Sequence, residues 1–483
     1  MKTLVLTIFL TIISVPLFAQ EYRFFVSFKE KNATFSIEKP QEFLSKRAIK
    51  RREKQKIAIL EQDLPVRAEY LRELEKYGAK VHYPSKWLNG AVISLNVAHQ
   101  DKIKGLSFVK NLQIIKRSPD YEEITTKKST EKLAEKSAEK SSKEIPKETQ
   151  KEILKIRENN EIDTLKRLKF DRTITYGNAI NQIKMLETDQ MHKQGFTGRG
   201  VLIAVFDGGF GEVNEVNSLK HLFTNKKIIA TYDVVRGNND VFEDNPHGRE
   251  VLSCIAAYEP TKIIGTAPEA SFLLVRTEDV ATETRLEEYN WLRAAEFADS
   301  CGTDIINSSV CYSFFDEADM NYNIKDLNGK TAIISQAAEI ATEKGIIVVV
   351  AAGNEGNNSW KYIAFPADAP SVLAVGAVNS RGDICSFSST GAPNSAQIKP
   401  DLVAQGQGVI VTHANNATTI TQGTSFAAPL VAGFVACVWQ AYPHLSAKEI
   451  KEMIRKSANQ ADNPDKQYGW GVPSFMRILE KKP

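Results

Sequence analysis

The sequence is poor in cysteine and in long apolar runs, and it carries no large excess of one charge. Its 62 Lys and Arg against 59 Asp and Glu leave a formal net charge of +3 over 483 residues, which gives no support to nucleic-acid binding or to strong attraction to a membrane surface. The five cysteines contain no CxxC or Cys/His spacing typical of zinc. Beyond the N-terminal segment, no stretch reaches the roughly 20 apolar residues that cross a bilayer. We therefore expect no nucleic-acid partner and no transmembrane span.

The N-terminal segment is the one long apolar run. MKTLVLTIFLTIISVPLFAQ has a lysine, an apolar stretch and a small residue at Ala19, the layout of a secretory signal peptide. We predict that residues 1–19 are a signal peptide and that the protein is exported, either secreted or periplasmic. A retained N-terminal anchor is the alternative.

Residues 20–116 have the pattern of a small α+β domain. Apolar strands and amphipathic helices follow one another in the order βαββαβ, and Asn89-Gly90 is a strong hairpin signal. The pattern alone fits an unrelated binding domain equally well.

Residues 117–175 shift sharply to Lys, Glu, Ser and Thr, including the near-repeat EKLAEKSAEKSSKE. Because this segment has too few apolar residues to hold a packed helix, we predict that it is a solvated linker. An accessible linker of this kind is a natural place for the chain to be cut.

Residues 176–483 alternate apolar strands with helices. Near-continuous apolar strands such as VLIAVFD and IIVVVAA predict a mostly parallel sheet covered on both faces by helices, an α/β fold of three layers. Ligands of such sheets bind beyond the carboxyl ends of the strands. Asp207 and Asn354 both fall at predicted strand ends.

Three polar residues in this region have the types and surroundings that nucleophilic catalysis needs. Ser425 in GTSFAAPLVAG begins an apolar helix, with Pro429 predicted in its first turn, and unpaired N–H groups at a helix start stabilise developing negative charge. Asp207 ends VLIAVFDGG, and His247 opens HGREVLSCIAA. Serine needs a base that is itself held by a third group, so the three residues are a candidate catalytic set.

The motifs DGG, HG and GTSFAAP in this order resemble the subtilisin-like serine peptidases, or subtilases, over about residues 176–480. The resemblance implies the subtilisin-like three-layer fold for residues 176–483. It also implies a ferredoxin-like propeptide at residues 20–116, which serves as folding chaperone and temporary inhibitor. In the family's roles, Ser425 is the nucleophile, His247 the base and Asp207 the orienting carboxylate. No cofactor is required for this chemistry.

The resemblance assigns further site residues. AAGNEG resembles the family's oxyanion-hole motif, which makes Asn354 a side-chain donor to the tetrahedral intermediate. INSSVCY stands where the family places the strand that pairs with substrate, so Ser309, Val310 and Cys311 are expected to bind substrate through main-chain groups. Cys311 replaces a glycine there, and we expect it to be packed and to narrow the pockets; a reactive thiol is the alternative.

Two other features leave choices open. Arg249 stands where the family has a small polar residue, and it either pairs with Glu243 or Asp244 or shapes substrate binding. Trp360 and Phe365 belong either to the primary specificity pocket or to the core. Subtilases commonly bind structural calcium, but we find no acidic loop dense enough to place a site.

The sequence therefore predicts an exported serine endopeptidase, made as a self-inhibited precursor, that hydrolyses peptide or protein substrates through an acyl-enzyme. Its partners are the substrate and its own propeptide. The first alternative is a catalytically silent binding protein obstructed by Cys311 or Arg249. The second is a stable, inhibitor-bound complex with a structural role.

Overall fold

The computed structural model describes residues 21–31, 34–117, 168, 170, 174–243, 245–393 and 395–480. The predicted signal peptide and most of the predicted linker lie outside these residues. Within them, the chain forms a smaller N-terminal part around a four-stranded sheet and a larger C-terminal part around a seven-stranded sheet.

The N-terminal part is the α+β unit that the sequence predicts. Its four antiparallel strands lie in the order β2-β3-β1-β4, as expected of a ferredoxin-like domain. The hairpin turn occupies residues 86–89, with Asn89 at φ 46°, and Gly90 already begins the next strand. The elements are β1 (Glu21–Phe28), α1 (Lys46–Gln55), α2 (Ala68–Lys76), β2 (Lys80–Ser85), β3 (Gly90–Asn96), α3 (Gln100–Lys104) and β4 (Val109–Lys116).

Helix α1 is an element that the sequence did not predict. Its sequence KRAIKRREKQ contains only two apolar residues, a pattern typical of solvated chain. The helix begins after Ser45, whose hydroxyl accepts a hydrogen bond from the N–H of Ala48 at 3.1 Å. Its Arg51 and Arg52 are nonetheless buried, so ionic contacts with the rest of the molecule hold it in place.

The C-terminal part is built on a sheet in the order β13-β12-β11-β10-β5-β9-β6, and every neighbouring pair is parallel. This confirms the predicted α/β fold. The sheet strands are β5 (Leu202–Asp207), β6 (Ile228–Asp233), β9 (Ser271–Arg276), β10 (Ile305–Ser308), β11 (Ile347–Ala351), β12 (Leu373–Val378) and β13 (Leu402–Gln405). Two small hairpins lie outside it, β7 (Tyr258–Glu259) with β8 (Ile263–Ile264), and β14 (Gln407–Thr412) with β15 (Thr418–Gln422).

Helices cover both faces of the sheet, because its strands are apolar on both sides. One core lies between the sheet and helices α7 and α10, and the other between the sheet and helices α8 and α9. The α-helices of this part are α4 (Ile180–Met185), α5 (Thr188–Lys193), α6 (Lys220–Thr224), α7 (His247–Ala256), α8 (Leu286–Cys301), α9 (Ile333–Glu343), α10 (Thr424–Ala441), α11 (Ala447–Ser457) and α12 (Phe475–Glu480). Short 3-10 turns occur at Pro40–Glu42, Glu61–Asp63, Val97–His99, Asn217–Leu219, Ala318–Met320 and Ile324–Asp326.

Helix α10 is long and apolar enough to cross a membrane by composition alone. However, 89% of its 18-residue apolar window is buried inside the domain. The packed core therefore accounts for its apolar sequence.

The four-stranded sheet packs against helix α8. The rings of Phe25 and Tyr289 stack with centroids 4.6 Å apart. The carboxylate of Glu296 on α8 accepts hydrogen bonds from the Ser85 hydroxyl at 2.7 Å and from the N–H groups of Lys86 and Trp87 at 3.1 and 3.0 Å. One buried carboxylate thus accepts hydrogen bonds from two main-chain N–H groups of the N-terminal hairpin turn.

A second buried carboxylate, Asp299 near the end of α8, holds helix α1. Its oxygens accept from Arg51 at 2.6 Å, from Arg52 at 2.9 Å and from Lys86 at 3.2 Å. Arg52 also pairs with Asp63 at 2.8 Å. Burial by itself would raise the pKa of Asp299, but the charges of Lys86, Arg52 and Arg51 outweigh it and hold this pKa well below its usual range.

We expect Asp299→Asn to destabilise the uncut chain by about 3–5 kcal/mol at pH 7, because it leaves buried cations without their counter-charge. Because the folded-state pKa is depressed, this contribution is present above about pH 4 and is lost as the pH falls through the folded-state pKa. Urea unfolding of the full-length chain in a Ser425→Ala background, which removes the candidate nucleophile, measures the change. The exposed Asp101→Asn is the control, and equal unfolding free energies for the two variants would contradict the expectation.

Candidate active site

The sheet brings the predicted site residues to one edge. Strands β5, β10 and β11 are neighbours and parallel, so their carboxyl ends meet at the same side of the domain. Asp207 is the last residue of β5, Ser309 directly follows β10, and Asn354 lies three residues beyond β11.

Asp207 and His247 are directly hydrogen-bonded. The Nδ1 of His247, the first residue of α7, lies 2.8 Å and 3.0 Å from the two carboxylate oxygens of Asp207. Gly248 lets α7 approach this closely, because a Cβ at that position would lie 2.2 Å from the carbonyl oxygen of Gly209. The glycines of DGG and HG thus bring the helix start against the strand end.

The charge balance around His247 favours the imidazolium. The Asp207 side chain is 1% exposed and that of His247 is 32% exposed. Burial lowers the pKa of His247, but the charge and hydrogen bond of Asp207, with the charge of Glu250, outweigh it and raise this pKa above its ordinary value. With Nδ1 bonded to Asp207, Nε2 is the nitrogen free to accept a proton.

Ser425 lies in the first turn of α10, as predicted. The helix begins after Gly423, whose φ of 143° favours glycine. In this structure the Ser425 hydroxyl donates to the carbonyl of Ser309 at 3.1 Å, and not to His247. The ring centroid of the next residue, Phe426, lies 5.3 Å from that of the imidazole, so the start of α10 lies next to His247.

The predicted place of Pro429 was wrong. It is the sixth residue of α10 and therefore lies beyond the first turn. Proline has no N–H, so the carbonyl four residues earlier, that of Ser425, receives no helical hydrogen bond. The hydroxyl of Ser309 donates to this carbonyl instead, at 2.8 Å.

Asn354 is oriented by Thr424. Its Oδ1 accepts from the N–H of Thr424 at 2.9 Å and from the Thr424 hydroxyl at 3.0 Å. Asn354 is exposed, and its amide Nδ2 donates to none of the described residues. Asn354 is thus held next to the first turn of α10, which contains Ser425.

Ser309, Val310 and Cys311 follow β10 along the edge of the site. Ser309 is buried, whereas Val310 and Cys311 are half-buried. Burial, with the charges of Glu355, Glu283 and Glu278, raises the pKa of the Cys311 thiol to about 12. A thiol held protonated is a poor nucleophile, which favours the packed role over the reactive one.

Arg249 pairs with a residue other than those expected. It is buried, and its Nη1 donates to the carbonyl of Gly211 at 2.7 Å and to the carboxylate of Glu212 at 2.9 Å. Asp244 lies outside the described residues. The loop after Asp207 therefore supplies both of these partners.

Trp360 and Phe365 both lie in the core between the sheet and helices α8 and α9, with exposures of 4% and 0%. The structure therefore favours the interpretation that these two residues belong to the core.

The sequence missed one cluster beside the site. Glu278, Glu283 and Glu287 bring carboxylate oxygens within 4.8 Å of one another. The signal was present in TEDVATETRLEE, which holds five acidic residues in a short span, but the spacing does not show that three of them converge.

Comparisons with known proteins identify two families along the chain. The model of the subtilase family matches residues 198–471, and that of the Bacteroidota peptidase S8 propeptide domain matches residues 23–135. Subtilisin DY from Bacillus licheniformis is 31% identical over 304 residues, covering 62% of this chain and 97% of that protein.

Two other relatives are similar over a comparable length. Subtilisin E from Bacillus subtilis (strain 168) is 30% identical over 307 residues, covering 63% of this chain and 71% of that protein. The minor extracellular protease Epr from the same organism is 27% identical over 296 residues, covering 61% of this chain and 40% of that protein. The chain thus belongs to the subtilase family of serine endopeptidases and carries an N-terminal propeptide domain.

Proposed function

We propose that the chain is the exported, self-inhibited precursor of an endopeptidase in which Asp207, His247 and Ser425 form the catalytic triad. The observation that carries the proposal is the pair of hydrogen bonds between His247 Nδ1 and Asp207. They leave Nε2 as the base, in the site where Ser425 begins a helix beside Asn354. Subtilases need no cofactor for this catalysis.

Substrate binding prepares the nucleophile. An extended peptide pairs its main chain with Ser309, Val310 and Cys311. A substrate N–H that donates to the Ser309 carbonyl competes with the Ser425 hydroxyl, which now occupies that acceptor. The released hydroxyl can then turn to Nε2 of His247.

The reaction follows from these positions. Ser425 Oγ bonds to the substrate carbonyl carbon, and its proton passes to Nε2 of neutral His247. Asp207 stabilises the imidazolium, while Asn354 Nδ2 and the Ser425 N–H donate to the oxyanion. His247 next gives its proton to the leaving amine as the peptide bond breaks. Water repeats the sequence at the acyl-enzyme and restores Ser425.

The N-terminal features support a precursor. The domain at 20–116 docks on α8 through Glu296 and Asp299, and the linker at 117–175 is the proposed region of cleavage, leaving the peptidase domain at 176–483. The signal-peptide pattern at 1–19 supports export, and one relative is named as an extracellular protease.

Ser425→Ala tests catalysis and self-maturation together. We expect the variant to remain uncut, with turnover about a millionfold lower, because it has no nucleophile. Intact mass and N-terminal sequencing of wild type, Ser425→Ala and the exposed control Ser380→Ala make the measurement. Cleavage of all three would indicate another protease. An uncut wild type would favour a catalytically silent binding or structural protein.

Asn354→Leu tests the oxyanion donor. We expect turnover to fall about a hundredfold to a thousandfold with little change in KM, since the donor acts on charge that develops in the transition state. Thr424→Ser is the matched control, because it keeps the hydroxyl that orients Asn354. Steady-state kinetics on a peptide substrate separate the two parameters, and a change in KM alone would contradict the assignment.

The pH profile tests His247 as the base. Only the neutral form of His247 accepts the serine proton. Because the pKa of His247 is raised, we expect the acid limb of the kcat/KM profile at a pH above the ordinary pKa of histidine. Removing a nearby negative charge lowers that pKa, so Glu250→Gln should move the limb to lower pH by about a few tenths of a unit at low salt. Glu452→Gln, remote and exposed, should not move it. A limb unaffected by Glu250→Gln would contradict this account.

A further inference from the structure

Three carboxylates converge where strand β9 leads into helix α8. Glu278 and Glu283 lie in the connecting loop, and Glu287 lies in the first turn of α8. One oxygen of each lies within 4.8 Å of the others. Like charges held this closely repel each other, so the cluster is balanced only when it shares protons or receives a positive charge.

One oxygen of the cluster is buried with no partner. Glu278 accepts from the hydroxyls of Tyr312 at 2.5 Å and Thr277 at 2.7 Å. Glu287 is 2% exposed, and its Oε2 accepts from the N–H of Thr284 at 2.9 Å. Its Oε1 is buried and has no hydrogen-bond partner among the described residues. A buried carboxylate oxygen without a donor is costly, and it marks where a donor would bind.

The cluster lies beside the segment that is proposed to bind substrate. Tyr312, which bonds to Glu278, is the residue after Cys311. After burial and the charge of Glu355, the charges of Glu283 and Glu278 are what raise the pKa of the Cys311 thiol. The cluster therefore lies next to the segment with which an extended peptide is proposed to pair.

The chain's own propeptide already brings basic side chains to this edge. Strand β4 ends at Lys116, whose ammonium donates to the Thr282 hydroxyl at 3.0 Å and lies 3.9 Å from the Asp279 carboxylate. The next residue, Arg117, pairs with Glu317 and, at 2.9 Å, with Asp319. These two basic residues are thus held by acidic residues next to the cluster.

The charge of Lys116 reaches the cluster itself. Burial, followed by the charges of Glu278 and Glu283, raises the pKa of Glu287. The N–H of Thr284 and the charge of Lys116 oppose that rise. A cation brought closer than Lys116 would neutralise the cluster more completely.

We propose that Glu278, Glu283 and Glu287 form a subsite for a lysine or arginine side chain on the N-terminal side of the cleaved bond. This subsite rests on the proposed function, because it needs a bound, extended substrate. An ammonium or guanidinium supplies both the donor that Glu287 Oε1 lacks and the charge that the three carboxylates lack. The docked basic residues Lys116 and Arg117 favour a side chain over a metal ion as the occupant.

The experiment scans a single lysine through the six positions before the cleaved bond of otherwise identical, neutral, internally quenched peptides. Norleucine replaces lysine in the matched set. With the matured enzyme, we expect lysine to raise kcat/KM about tenfold at one or two adjacent positions, mainly through KM, the size expected of a charge-assisted hydrogen bond. Glu283→Gln and Glu287→Gln should remove most of this preference, whereas the remote Glu452→Gln should keep it.

The outcomes separate the subsite from the proposed function. An enzyme that cleaves the lysine and norleucine peptides equally at every position overturns the subsite and leaves the function standing. A protein that cleaves none of them and does not mature overturns both. If calcium chloride raises the melting temperature of wild type but not of Glu283→Gln and abolishes the lysine preference, the cluster is a cation site and the subsite is overturned.

Discussion

The hydrogen bonds at the start of helix α10 are the constraint on which the rest of the site depends. Thr424 bonds to Asn354 after β11, and Ser425 exchanges two hydrogen bonds with Ser309 after β10. The helix start therefore joins the ends of two neighbouring strands. Helix α10 also packs closely against Thr266, because a Cβ at Gly433 would lie only 1.8 Å from the Thr266 hydroxyl. The small residue Gly433 thus helps to set the position of Ser425 at the start of the helix.

Helix α8 has a comparable role, because it holds the N-terminal part of the chain against the C-terminal part. Glu296 and Asp299 lie in its C-terminal half, where the helix dipole disfavours negative charge. Ser85, Lys86 and Arg51 supply the donors that compensate these carboxylates. The peptidase part therefore carries buried acids whose partners belong largely to the N-terminal part. This arrangement explains how highly charged sequence forms a specific interface.

The sequence predicts those features that depend on local pattern. Uninterrupted apolar strands predicted the parallel sheet, and the glycine-flanked motifs predicted which side chains meet at its edge. The sequence did not predict helix α1, because the acids that neutralise Arg51 and Arg52 include Asp299, far away in the chain. The partner Glu212 of Arg249 was missed for the same reason, since the fold brings the loop after Asp207 to Arg249.

The Glu278 cluster and the Asp299 network are opposite cases of one rule. Asp299 is buried with three cations from the N-terminal part, and these lower its pKa. In the Glu278 cluster, burial and neighbouring carboxylates raise the pKa of each member, and the charges of Arg276 and Lys116 offset this rise only in part. The first network is complete within the precursor. The second is balanced only when it shares protons or receives a positive charge, and the proposed lysine or arginine side chain would supply that charge.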